Sequence, residues 1–220
     1  MCSILAPQIL SPQQNNPRFL TKIILLKYYL NIVLLGIVHS GCLSNTEEDV
    51  MNASKSNDGG IIAPPGGRIY VVSVPVDESR DWHEAIGAAG PSTGSDWDIE
   101  RVGEQYPTTD ETPGSREVIL VNFGKKTGSE DNLVWAKAQQ LRPASPRTVF
   151  AVGEYCPTLH NQLDMDPLVV VSLITCFFEG EQRVVSVGWI GPRRAASLCW
   201  FEENWQANFW FASIQESRQK

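Results

Sequence analysis

The stretch Leu168–Phe178, LVVVSLITCFF, restricts the fold more than any other part of this sequence. It is apolar except for Ser172 and Thr175, rich in β-branched and aromatic residues, and bounded by turn formers. That combination predicts a long apolar strand. Glu179-Gly180-Glu181-Gln182 follows as a hairpin turn, and Arg183–Ile190 returns. Gly191-Pro192 turns the chain again. Ala195–Phe201 and Ala207–Ile214 then extend the series into a predicted C-terminal meander.

Upstream, strand and helix patterns alternate. Arg68–Val76 (RIYVVSVPV) and Glu117–Phe123 (EVILVNF) read as strands. Pro75 cannot donate to a ladder, which places the first of them at a sheet edge. Asp81–Ala89 reads as a short helix capped by Asp77 or Ser79 and stopped by Gly90-Pro91. Ser129–Leu141 reads as a helix capped by Ser129, with Glu130 and Asp131 at the positive end of its dipole. Pro146–Glu154 opens with proline at its first position, and Pro157–Leu163 adds a further turn or two. The expectation is an α+β domain over 68–216. Its antiparallel sheet has five to six strands with a C-terminal meander, and two to four short helices pack on one face. Residues 217–220 are a tail.

The N-terminal segment has a different character. No Asp or Glu precedes Glu47, whereas Arg18, Lys22 and Lys27 all lie there. The whole chain carries −7, so removing residues 1–41 with their three positive charges leaves −10. Tyr28–Val38 is an 11-residue run with Asn31 its one polar residue. That length suits the apolar core of an export signal and falls short of the ~20 residues that span a bilayer. His39-Ser40-Gly41-Cys42-Leu43 follows. The segment resembles the signal peptide of bacterial lipoproteins, in which small residues precede a cysteine that is lipidated and becomes the mature N-terminus. Ser40-Gly41-Cys42 matches that pattern, and His39 departs from it. The resemblance implies lipidation of Cys42, a lipid-mediated membrane contact and a domain facing the periplasm or exterior, at the cell membrane or outer membrane. Leu43 after the cysteine, by the same resemblance, favours the outer membrane. The alternatives are an uncleaved anchor or ordinary secretion, and an overextended gene start ahead of a cytosolic protein. Residues 42–67, rich in Ser, Asn, Asp and Gly and holding Pro64-Pro65-Gly66-Gly67, read as a disordered tether.

The sequence points to no particular reaction. It has no phosphate-binding Gly-rich loop, dinucleotide fingerprint, Gly-x-Ser-x-Gly elbow or Cys-x-x-Cys pair, and so implies no cofactor and no metal. An acidic chain without a basic patch implies no nucleic-acid partner. Cys176 and Cys199 fall on strands of one sheet and are disulfide candidates in an oxidising compartment, or else two buried thiols. Cys156, His160 and Asp164 would share a face if one helix carried all three. Asp77–Glu84, which includes His83, clusters ionisable groups where the first strand ends; it is the candidate region if the protein is a hydrolase. Trp189, Trp200 and Trp210 are candidate binding aromatics for an unknown protein or envelope component, the leading expectation being a non-catalytic binding module.

Overall fold

The computed structural model describes residues 60–92, 97–109, 112–201 and 204–215. The signal-like segment, Cys42 and most of the expected tether lie outside these residues. Among them are seven strands: β1 (Arg68–Val76), β2 (Gly114–Asn122), β3 (Leu141–Pro143), β4 (Leu168–Phe178), β5 (Glu181–Ile190), β6 (Arg193–Trp200) and β7 (Phe209–Gln215). The five helices are α1 (Trp82–Ala89), α2 (Trp97–Glu100), α3 (Ser129–Ala138), α4 (Pro146–Tyr155) and α5 (Leu159–Gln162). The α+β class is as expected, and the sheet arrangement is not.

The strands run in the order β1-β2-β7-β4-β5-β6, with β3 beside β7. β4, β5 and β6 form the antiparallel meander, closed by the turns at Glu179-Gly180 and Gly191-Pro192. β7 does not continue it. It lies between β2 and β4, antiparallel to β2 and parallel to β4, so the sheet is mixed. Burial explains the placement. Trp210 through Ile214 are all buried, and because side chains alternate, both faces of β7 need cover. An edge position next to β6 could not supply it. β4 leaves β7 after Val171, where its pairing with β5 shifts register, and β3 takes its place with Pro143 opposite Ser213. The fully buried Ser172 hydroxyl donates to Ala144 O at 2.7 Å and ties the two replacements together. β1 is an edge strand, as Pro75 requires.

Helices cover both faces, not one. Val74, Val118, Trp210, Val170 and Val187 lie on the face that α1, α4 and α5 pack against through Ile86, Phe150 and Leu159. Ile119, Val121, Val171, Val184 and Phe211 lie on the other, under Ala136 and Leu133 of α3 together with Phe201 and Trp205. Close backbone approach fixes two joints. A Cβ on Gly153 of α4 would sit 2.9 Å from Ala89 O, so the end of α1 can press directly on α4. Gly124 has φ +66, and a Cβ there would lie 2.2 Å from Gly66 O. This second joint brings residues 60–67 onto the domain: Pro64 is buried, Ile61 packs against the second core, and Ile62 N donates to Gln139 Oε1. The packed part of the chain therefore begins ahead of β1, inside the stretch that its composition assigns to the tether.

Local details also differ from the sequence reading. α3 ends at Ala138 because Gln140 takes φ 58, a left-handed value that stops a helix; Leu141 opens β3 instead. Gly128, not Ser129, is its N-cap. The Ser129 hydroxyl is committed elsewhere: it donates to Phe201 O and accepts from Trp205 Nε1.

Candidate functional site

The end of β1 and the following turn meet α4 in a cleft of about 230 Å³. Its base is apolar, formed by Val76, Ala85, Phe150 and Ala151, and its polar rim is Asp77, Arg80, Arg147, Glu154 and the half-exposed Tyr155. The local folding follows from short-range capping. Asp77 Oδ1 accepts from Ser79 N at 2.9 Å and from Ser79 Oγ at 2.6 Å, closing an Asx-type turn. Asp81 Oδ1 accepts from His83 N at 2.9 Å and Glu84 N at 3.1 Å, and is the N-cap of α1. The cap is thus Asp81 rather than Asp77 or Ser79. On the other side, Ser145 caps α4, which turns Arg147 and Glu154 toward the cleft.

Arg80 Nη1 and Glu154 Oε2 form an ion pair at 2.5 Å, both side chains about three-tenths exposed. Arg147 is buried. Its Nε donates to Arg80 O at 2.9 Å, its Nη1 to Tyr106 O at 2.8 Å, and its guanidinium lies 5.4 Å from the Trp82 ring centroid. Burial lowers its pKa, opposed by the charges of Glu78, Asp81 and Asp77. Glu78, also buried, sits behind the rim; it accepts from Ser145 Oγ and Thr148 Oγ1 and has Arg116 at 3.7 Å. The Ser79 hydrogen bonds hold the Asp77 carboxyl below the usual range, and those from the Glu84 and His83 amides do the same for Asp81.

Those two carboxyls predict an acid response. A depressed folded pKa adds stability above the unfolded value near 3.8, and that stability is lost as the pH falls through the folded value. Thermal midpoints recorded from about pH 5 to about pH 2 will fall less in Asp81→Asn than in the native chain, because asparagine keeps an acceptor but no longer titrates. Equal acid slopes would show that Asp81 does not contribute.

The residues singled out in the sequence are placed as follows. His83 is exposed on α1 and does not line the cleft, so no imidazole meets Asp77 or Glu154 there. Cys156, His160 and Asp164 do not share a helix face: α4 stops at Tyr155, Cys156 is its C-cap, His160 is buried in α5, and Asp164 has φ 48 beyond that helix. Among the described residues no three His, Cys, Asp or Glu side chains group as metal ligands. Cys176 and Cys199 are not disulfide-bonded, and the sheet forbids the bond. β5 separates their strands, with Cys176 opposite Arg183 and Cys199 opposite Val184. Two strand spacings are roughly 9–10 Å against a limit near 7 Å, and the two side chains point to opposite faces.

The aromatic surface is also corrected. Trp189 and Trp210 are fully buried, their indoles donating to Cys156 O and Met165 Sδ. Trp200 is half-buried; the Arg183 guanidinium lies 3.5 Å from its ring centroid and its Nε1 donates to Glu181. Trp189 and Trp210 therefore present no face to a partner, and Arg183 lies over the ring of Trp200. Arg147 and Glu154, which complete the cleft, carried no signal in the sequence: both lie within a helix pattern some 70 residues from Arg80.

No protein-family model, no curated protein and no solved structure matches the chain.

Proposed function

We propose that this protein is a membrane-anchored, extracytoplasmic lipoprotein whose folded domain binds a ligand rather than transforming one. The observation that carries the anchor is Ser40-Gly41-Cys42 at the end of an 11-residue apolar run, itself preceded by basic residues and no acids. The Ser-, Asn-, Asp- and Gly-rich composition that follows Cys42 supports the reading, because it suits a tether between an anchor and a folded domain. No helix among the described residues is long and apolar enough to cross a membrane. Binding is favoured over nucleophilic chemistry by the cleft itself. Its lining carboxylates are already engaged, Asp77 by Ser79 and Glu154 by Arg80, rather than standing free as nucleophiles.

The test is metabolic palmitate labelling with detergent-phase partitioning in a bacterial host. The native chain will take up label and enter the detergent phase, and Cys42→Ala will do neither. Equal labelling of the two would remove the anchor. Each acyl methylene contributes ~0.8 kcal/mol to membrane affinity, so the difference in partitioning will be large.

A further inference from the structure

We infer that the cleft between β1 and α4 takes a small zwitterion, a molecule carrying one carboxylate and one ammonium on a short apolar body, of which a free α-amino acid is the simplest case. The inference rests on the reading of the domain as a binding module and is independent of the anchor. Hydrogen-bond accounting is its basis. Arg147 uses Nε and Nη1 on backbone carbonyls, and Nη2 has no hydrogen bond among the described residues. Among the described residues Asp77 accepts through Oδ1 from Ser79 and Glu154 through Oε2 from Arg80, and the second oxygen of each takes no hydrogen bond there. Arg147, Asp77 and Glu154, each with polar atoms beyond those it uses within the described residues, all line the same space, above an apolar base.

Charge selects between ligand classes. A simple anion set against Arg147 and Arg80 would also face Asp77 and Glu154, and a simple cation would meet the reverse conflict. A molecule bearing both signs meets each rim charge with its opposite, which like-charge repulsion denies to singly charged competitors. Size agrees: about 230 Å³ lies below the ~300 Å³ at which sites for drug-sized ligands begin.

Isothermal titration of the full-length chain in detergent tests this, with L-alanine and L-leucine as probes and N-acetyl-L-leucine and L-leucinamide as singly charged controls. At least one free amino acid will bind saturably, and both blocked forms will bind at least about tenfold more weakly. In Glu154→Gln the amino-acid affinity will fall about tenfold while the preference between the blocked forms moves toward N-acetyl-L-leucine, because the rim has lost a negative charge. A merely structural role for Glu154 would weaken all probes alike. Asp77→Asn provides the same comparison should Glu154→Gln fail to fold. No saturable heat from either amino acid, blocked forms binding as well as free ones, or unchanged affinities in both variants would each overturn the inference. The palmitate result for Cys42 bears on none of these outcomes.

Discussion

Trp205→Ala will cost the domain about 3–5 kcal/mol, the range for emptying a buried tryptophan site. Trp205 is fully buried although it belongs to no regular strand. Its ring stands 5.0 Å from Phe209 and 5.8 Å from Phe211, its Nε1 donates to Ser129 Oγ at 2.9 Å, and its backbone exchanges both hydrogen bonds with Thr127. One residue therefore fastens the connection between β6 and β7 to the second core and to the start of α3. The cost should appear in urea or guanidinium unfolding, and as a fall in thermal midpoint of roughly 6–20 °C at this chain length. Trp205→Phe keeps most of the ring contact and loses the indole hydrogen bond, for about 1–3 kcal/mol. Trp200→Ala is the internal comparison. Its ring is half-buried on an edge strand, so its loss should stay near the ordinary cost of about 1 kcal/mol. A Trp205→Ala variant no less stable than Trp200→Ala would refute the anchoring role.

The same contrast shows what the sequence could and could not disclose. Strand existence was legible for β1, β2, β4 and β5, because apolar β-branched runs bounded by Gly, Pro and Asp carry their own signal. Helix starts were legible at Pro146 and near Asp81, since caps act within three residues. Strand order was not. The segment that forms β7 was legible as a strand, but nothing local says that it slips between β2 and β4 instead of extending the meander. Its place is decided by which position buries both faces, a property of the assembled sheet. Ser129 shows the same limit at single-residue scale: its spacing suits an N-cap, yet the fold spends its hydroxyl on Phe201 and Trp205. Cys156, His160 and Asp164 failed for a related reason, because the helical spacing that would align them is broken after Tyr155. Of the cleft, the sequence exposed Asp77 and Arg80 as part of a charged cluster at a strand end. Glu154 and Arg147 reach that cluster by tertiary packing of α4, which no short-range pattern encodes.

Arg147 is where that packing has its largest electrostatic consequence, and Arg147→Met is expected to cost about 3–5 kcal/mol, measured by denaturant unfolding. Methionine fills much of the volume, so the loss is not chiefly a cavity. Two carbonyls lose their donor, Tyr106 O in a buried setting and Arg80 O in a part-buried one, at about 1–3 kcal/mol each. The ring of Trp82, itself stacked on Tyr106 at 5.3 Å and packed on Phe150 at 5.1 Å, loses the cation beside it. Glu78 keeps Ser145, Thr148 and Arg116 but loses the attraction of a second guanidinium. Arg147→Lys retains the charge yet cannot offer a rigid fork to two carbonyls in different segments, and should recover only part of the loss. A double variant separates the causes. If uncompensated charge on Glu78 dominates, adding Glu78→Gln to Arg147→Met will restore stability. If the orphaned carbonyls dominate, the second substitution will cost more, because Glu78 still holds the α4 N-terminus through Ser145 and Thr148. The carbonyl bonds are well formed at 2.9 and 2.8 Å, part-buried at Arg80 O and buried at Tyr106 O, whereas Arg116 already stands 3.7 Å from Glu78, so the second outcome is the expected one. An Arg147→Met variant as stable as the native chain would mean that water reaches both carbonyls and that the arginine is held for the cleft rather than for the fold.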